Sequence, residues 1–224
     1  MTAKPLIIVG DSAFAEIACE YFSHDSDYRV VAFSVEKPYL KKESLFDRPV
    51  VAFEDLATQF APADHAVFVA ATYTQVNRLR TRLSTTAKAQ GYTLASYVSS
   101  RAFVWRNVTL GEHCFIFEDN TLQPFVRIGN NCVLWSGNHI GHHSVVRDNC
   151  FISSHVVISG FCDIGENSFL GVNATISNNV TLGRDNWIGP AVTVLKNTEP
   201  GRLFKPAKCL PAEVSTLDFF KVAG

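Results

Sequence analysis

Three of the seven histidines in this 224-residue chain fall within five positions, in the run Gly137 Asn138 His139 Ile140 Gly141 His142 His143 Ser144, and His155 follows downstream. Imidazole titrates near neutrality, so a histidine of such a cluster can take the proton from an amine or hydroxyl as that group attacks an electrophile. Asn120 and Asn138, eighteen residues apart, stand beside the cluster. Cysteine could offer metal or redox chemistry instead, but no Cys-x-x-Cys pair occurs among Cys19, Cys114, Cys132, Cys150, Cys162 and Cys209.

The stretch that must position these histidines is a repeat. From Val98, Val104 and Leu110 to Ile188 and Val194, seventeen consecutive points of a six-residue grid are all Val, Ile or Leu. These types make up 51 of the 224 residues, so composition alone would fill each point only roughly one time in four. Four residues after each point stands a small or short residue, Cys114, Asn120, Cys132, Asn138 and Cys150 among them. Such a hexapeptide repeat predicts a left-handed parallel β-helix whose coils have three six-residue sides, the aliphatic residue pointing inward and the small one fitting near each turn. Glycine follows the aliphatic point at Gly111, Gly129, Gly141, Gly165, Gly171, Gly183 and Gly189, as expected of corners that need unusual backbone angles. Cys114, Cys132 and Cys150 then stack inside as a ladder of thiols, a usage that fits a reducing compartment.

Before the repeat the rhythm changes. Leu6 to Val9 reads as a strand closed by Gly10, Ala13 to Phe22 as a helix and Arg29 to Val35 as a second strand. Strands at Val50 to Phe53, Ala66 to Ala71 and Thr93 to Val98, with helices near Glu54 to Phe60 and Thr74 to Gln90, complete a doubly wound, Rossmann-like α/β unit. The expected organisation is an α/β domain over 1–97, the β-helix over 98–198 and a tail over 199–224. Sheets of this kind hold ligands at the carboxyl ends of their strands, so an anionic group is expected at Gly10, Asp11, Ser12, Ala13 and Phe14. Only Gly10 of a dinucleotide Gly-x-Gly-x-x-Gly pattern is present, leaving a bound phosphate or a plain tight turn as alternatives.

Formal charge is −1 with 18% charged residues and no basic run, which argues against nucleic acid as a partner. Neither a signal-peptide pattern nor an apolar run long enough to span a bilayer occurs, so no membrane insertion and a cytoplasmic location are expected.

An α/β unit, a hexapeptide β-helix and the segment Lys205 Pro206 Ala207 Lys208 together resemble the bacterial sugar acyltransferases related to sialic acid O-acetyltransferase and to the N-acetyltransferase of bacillosamine synthesis. The resemblance covers nearly the whole chain. It implies a homotrimer that uses acetyl-CoA as co-substrate, lying along the β-helix between subunits, and a nucleotide-linked sugar held by the N-terminal unit. The family's general base is a histidine eighteen residues before a Ser-Gly or Ala-Gly pair; His142 matches it, ahead of Ser159 and Gly160. Gly160 matches the glycine whose N–H faces the thioester carbonyl, although a plain corner glycine is an equal reading. The family's acidic residue after the base is His143 here, which makes Glu118 and Asp119, one coil earlier, candidates to orient the imidazole.

Further positions carry over with departures. A cofactor-contacting histidine of many relatives falls at Phe151, and an asparagine near the sugar at Trp135, beside Asn138. Val172, Gly189 and Pro190 correspond to the pantetheine groove, and Lys208 could meet a CoA phosphate. In the nucleotide loop the Gly-x-x-Gly-His of relatives is replaced at Ala13 and Phe14, and Ser34, Val35 and Glu36 stand at the end of the second strand where relatives often carry acidic residues.

The implied activity is acetyl transfer from acetyl-CoA to an amino or hydroxyl group of a nucleotide-linked sugar in surface-polysaccharide synthesis. A non-catalytic trimeric scaffold with a nucleotide-sensing N-terminal unit is the alternative. Hexapeptide solenoids also host zinc carbonic anhydrases. His139, His142 and His143 do not give the His-x-x-x-x-His pair those enzymes resemble, so no metal is expected.

Overall fold

The computed structural model describes residues 3–222. Its N-terminal unit runs β1 (Lys4–Val9), α1 (Ala13–His24), β2 (Tyr28–Val35), β3 (Ser44–Leu45), β4 (Arg48–Ala52), α2 (Leu56–Gln59), β5 (Ala66–Val69), α3 (Arg78–Ala89) and β6 (Thr93–Leu94). The sheet order is β3-β4-β2-β1-β5-β6, parallel except for β3, which meets β4 as a hairpin. β1 reads as an unbroken apolar run because both its faces are covered. Leu6 and Ile8 pack with Phe14, Ala18 and Phe22 of α1. Ile7 and Val9 pack with Leu56, Leu83 and Ala87 on the other side.

Several expected elements are shorter than their patterns, the helix near Glu54 to Phe60 reducing to Leu56–Gln59 and the strand over Ala66 to Ala71 to Ala66–Val69. The helix expected from Thr74 begins at Arg78, since Gln75, Val76 and Asn77 have φ of 53°, 51° and 66°, a left-handed turn that cannot continue into a right-handed helix. The strand expected over Thr93 to Val98 is split: Thr93–Leu94 pairs with β5, while Tyr97–Val98 pairs with Phe115–Ile116 as the first rung of the second unit.

That second unit is a left-handed parallel β-helix of two-residue rungs stacked on three faces. The first face carries Tyr97–Val98, Phe115–Ile116, Val133–Leu134, Phe151–Ile152, Phe169–Leu170, Trp187–Ile188 and Leu203–Phe204; the last rung lies beyond the expected limit of 198. The second face runs from Phe103–Val104 to Thr193–Val194, with His139–Ile140 in its middle, and the third from Thr109–Leu110 to Thr181–Leu182. We call the corners that follow these faces the first, second and third edges.

The aliphatic grid fills the interior: Ile116, Leu122, Leu134, Ile140, Ile152 and Ile158 are fully buried. The cysteine ladder lies inside as well, each thiol donating weakly to a carbonyl fifteen residues on: Cys114 to Gly129, Cys132 to Arg147 and Cys150 to Gly165. Burial pushes the Cys114 thiol up to about 12 and holds that of Cys132 well above its ordinary value, so these two sulfurs stay protonated.

The corner glycines do a different job from the one their position suggests. From Leu110 to Ile188, left-handed backbone recurs three residues after each aliphatic point, at His113, Asp119, Phe125, Asn131, His143 and onward, and not at Gly111, Gly129 or Gly141. Glycine is required at those three because the next coil passes directly beneath. A Cβ on Gly111 would lie 2.6 Å from the Asn130 nitrogen, and one on Gly141 2.6 Å from the Gly160 nitrogen.

The outward residues of the first face explain how the two units join. Tyr97, Phe115, Val133, Phe151 and Phe169 are all buried against α1 and the sheet, in one core with Phe14, Phe22 and Phe68. Fully burying such side chains stabilises by roughly 1.5–3 kcal/mol each, which makes the two units one packed body. Polar ties flank this seam. Tyr21 donates to Glu118 at 2.7 Å on the first edge, and Arg78 pairs with Asp185 on the third. Within the seam the Arg80 guanidinium, 1% exposed, donates to the carbonyls of Val69 and His113 and lies 4.9 Å over the Phe68 ring.

Candidate functional site

The second edge leaves the seam on the opposite side of the prism, and His142 stands there. Its rung, His139–Ile140, aims Ile140 into the core, and Gly141 lets the chain turn against the coil beneath. The His142 N–H donates to Gln123 Oε1 at 2.9 Å, fixing the backbone. Its ring lies over Gly160 of the next coil. A Cβ on Gly160 would fall 2.8 Å from His142 Cε1 and 2.9 Å from Nε2, and 3.2 Å from Asn178 Oδ1. The Gly160 N–H has no acceptor among the described residues, whereas the corresponding N–H groups of Glu112 and Asn130 donate to side chains. An imidazole nitrogen beside an unengaged amide N–H is an arrangement able to accept a proton and to stabilise a developing oxyanion.

His143 is the partner of His142. The two Nδ1 atoms are 3.2 Å apart, and in the neutral pair one must donate to the other. Glu118 and Asp119, expected as partners, belong to the first edge. Glu118 instead accepts from Tyr21 and from Ser136, each at 2.7 Å.

The histidine cluster of the sequence is dispersed by the coil geometry. His139 faces outward from the second face, His142 and His143 occupy the second edge, and His155 the first, where its ring covers Gly137. Asn120 and Asn138 are interior struts of the first edge. Asn120 donates to the carbonyls of Phe117 and Trp135, and Asn138 takes the Val156 N–H at 2.7 Å; at 1% exposure Asn138 cannot meet a ligand.

Other expected contacts are also corrected by burial. Phe151, 3% exposed, packs against Tyr73 and Phe169 in the seam and is closed to a cofactor. Phe14 is 3% exposed among Phe68, Phe115 and Phe117, so it serves the core and not the loop. Trp135 stacks on Phe117 at 4.6 Å and is half-buried there, in the same aromatic cluster. Val172, Gly189 and Pro190 lie on the first edge, and Lys208 is exposed in the tail. A single chain therefore does not bring them to His142 and Gly160, which sit across the second face.

At the carboxyl ends of β1, β2 and β5 lies a cleft of about 500 Å³ lined by Gly10, Asp11, Ser12, Ser34, Glu36 and Arg82, among others. Gly10 has φ of 132°, and Ser12 opens α1 without a side-chain cap. Ala13 is exposed at the first turn of that helix. Ser34 is fully buried on the cleft wall, with no hydrogen-bond partner for its hydroxyl. Arg82 holds the Glu36 carboxylate in a two-pronged pair at 2.8 and 2.9 Å, which keeps that carboxyl below its usual range. Among the described residues no cluster of three or more His, Cys, Asp or Glu side chains could hold a metal ion, and no helix is long and apolar enough to cross a membrane.

Two aromatic series run through the β-helix at the coil period. Phe125 and Phe161 stand eighteen residues before and after His143, and their rings stack on it from either side at 4.5 and 4.8 Å. Tyr97, Phe115, Phe151, Phe169 and Trp187, with Val133 between the second and third, keep the same spacing on the face that the N-terminal unit covers.

The class of fold these features define is a left-handed hexapeptide β-helix carrying an N-terminal α/β unit. Residues 143–178 match the family model for the bacterial transferase hexapeptide (six repeats). Among solved structures, the chain is similar to a histidine-substituted variant of perosamine N-acetyltransferase from Caulobacter crescentus, in complex with CoA and GDP-perosamine. The TM-score is 0.80 at 23% identity, covering 90% of this chain and 93% of that one. The acetyltransferase domain of PglB from Neisseria gonorrhoeae gives a TM-score of 0.81 at 20% identity, over 92% and 100%. WeeI from Acinetobacter baumannii gives 0.51 at 18%, over 85% and 95%. Curated proteins contain no match to the sequence. At these identities the likeness shows the fold.

Proposed function

We propose that this protein is an acetyl-CoA-dependent acetyltransferase acting on an amino or hydroxyl group of a nucleotide-linked sugar, with His142 as general base. The observation that carries the reading is the placement of His142 Nε2 against Gly160, whose N–H is unengaged. The acceptor nitrogen or oxygen attacks the thioester carbonyl and loses its proton to His142 Nε2. Negative charge on the carbonyl oxygen is met by the Gly160 N–H, and the carbon–sulfur bond breaks to release CoA. The solved complex of the perosamine N-acetyltransferase variant with CoA and GDP-perosamine supports both the donor and the kind of acceptor. The place in surface-polysaccharide synthesis follows from the same resemblance.

The nucleotide belongs in the cleft at Gly10, Ser12 and Ser34, where an α-helix begins and a buried hydroxyl lacks a partner. That cleft lies in the unit packed on the first face, while His142 lies on the edge opposite it. A sugar held by one chain therefore meets the base of another, and the first-edge residues Val172, Gly189 and Pro190 meet the cofactor across the same contact. This favours the homotrimer, in which the site is completed by a second copy. The test is release of thiol from acetyl-CoA with a panel of nucleotide amino sugars. His142→Ala is expected to fold normally and lose at least about two orders of magnitude in turnover. Absence of CoA binding by calorimetry would favour the scaffold instead.

A further inference from the structure

The corner position three residues after the aliphatic point has left-handed backbone at every coil corner from His113 to Ala191. On the third edge it is held by His113, Asn131, Asn149, Asn167 and Asp185, types that tolerate such angles. On the second edge Phe125 and Phe161, at φ of 67° and 58°, depart from that rule on either side of His143, at 60°. Bulky rings at left-handed positions carry a backbone cost, and burial within the single chain does not offset it, since Phe125 is 55% and Phe161 52% exposed there. What they do is hold the His143 imidazole between them, at centroid distances of 4.5 and 4.8 Å and interplanar angles of 25° and 16°. Phe161 also presents its ring edge-on to His142 at 5.0 Å.

The geometry points to a two-histidine relay in which His143, clamped between Phe125 and Phe161, positions His142 and receives the proton that His142 takes up. The inference rests on the proposed acetyl transfer for its chemistry. Of the two ways to share the Nδ1–Nδ1 hydrogen bond, only donation from His142 leaves a lone pair on its Nε2, the atom beside Gly160. As the acceptor's N–H or O–H bond breaks, its proton goes to His142 Nε2, and the Nδ1 proton of His142 passes to His143 Nδ1. The new carbon–nitrogen or carbon–oxygen bond forms, the carbon–sulfur bond breaks, and the departing CoA thiolate or solvent takes the proton back. Positive charge then rests on an imidazolium between two phenyl faces, whose quadrupoles attract it. No carboxylate pairs with either imidazole among the described residues. The neighbours on this edge are Gln123, Asn178 and Asn107, and its cations Arg106 and Lys196 lie two and three coils away. The clamp thus takes the part that an acidic partner would otherwise play.

The test is ¹⁵N imidazole NMR on the full chain, without substrate, alongside turnover. His142 is expected as the Nδ1–H tautomer, reverting to the commoner Nε2–H form in His143→Ala. The double variant Phe125→Leu, Phe161→Leu should lose about three- to five-fold in kcat with KM and assembly mass unchanged. His143→Asp should recover turnover that His143→Ala loses, since a carboxylate can accept the same hydrogen bond. An Nε2–H tautomer on wild-type His142, an unchanged kcat in the double variant, or dissociation of its assembly would each overturn the relay. If the tautomer is found but no acetyl transfer occurs with any acceptor, the proposed reaction fails and the dyad stands. If transfer depends on His142 but not on His143, the reaction stands and the relay fails.

Discussion

The ring of His142 lies against the bare Cα of Gly160, so close that a methyl group there would meet Cε1 at 2.8 Å. Gly160 does not need glycine for its backbone angle, since it is absent from the left-handed positions. Gly160→Ala should therefore fold, displacing the imidazole, which is free to move outward, and lowering kcat by about 10- to 100-fold. Gly141→Ala is the contrasting control. Its Cβ would strike the backbone of Ser159 and Gly160 at 2.6 Å, which cannot swing aside, and the expected result is a loss of about 1–3 kcal/mol in denaturant unfolding. Equal stability of the two variants would contradict this division of roles.

Val69 N–H donates to His113 Nε2 at 2.9 Å, and His113 Nδ1 bonds Asn131 Oδ1 at 2.8 Å, so the ring is neutral with its proton on Nδ1. Burial first, and the Arg80 charge second, hold this imidazole well below its ordinary value near 6.5, against the opposing pull of Asn131. The unfolded chain therefore binds the proton more readily than the folded one. Stability from this group is complete above about pH 6.5 and falls as the pH drops below it, by up to about 1.4 kcal/mol per pH unit. His113→Gln, whose amide can accept and donate in the same directions, should flatten that slope in urea titrations between pH 7.5 and 5.

Periodic features of this chain are readable because a six-residue period repeats one steric demand: inward at Ile140, small at Cys132, turning at Gly141. The meaning of a position within the period is harder to read. Glycine at 111, 129 and 141 suggests backbone freedom, yet the left-handed residues are His113, Asn131 and His143, and the glycines answer a clash that only the stacked coil creates. Non-periodic contacts are hidden altogether. Arg80 and His113 meet across 33 residues and two units, and nothing in Gln75, Val76 and Asn77 announces a left-handed turn. The proposed base His142 is legible through resemblance; the ring that contacts it is not, because the family's acidic residue directs attention to Glu118 and away from His143, the next residue.

Ser34 supplies a prediction of opposite sign for stability and function. Its hydroxyl is fully buried without a partner at the cleft, a state that costs folding free energy until a ligand donates or accepts there. Ser34→Ala should leave the free protein as stable or more so by thermal denaturation. It should raise KM for the nucleotide sugar about five- to ten-fold with little change in kcat, the size of one lost hydrogen bond. A lower melting temperature with unchanged KM would show that the hydroxyl serves the fold.

Separation of the cleft from His142 within one chain yields the last prediction. Ser12→Asp places a negative charge at the start of α1, where the nucleotide phosphate is expected, while aspartate remains a favourable residue for capping that helix, so the variant should fold. It should be inactive through loss of sugar binding, as His142→Ala is through loss of the base. When the two inactive variants are unfolded together and refolded as mixed assemblies, some contacts pair the intact cleft of one chain with the intact His142 of another. For equal, random mixing each site has both intact parts with a probability of about one quarter, so turnover should return to about 25% of wild type. Refolding each variant alone should restore nothing. If cleft and base worked within the same chain, every subunit in the mixture would carry one defect and the mixed assemblies would stay inactive.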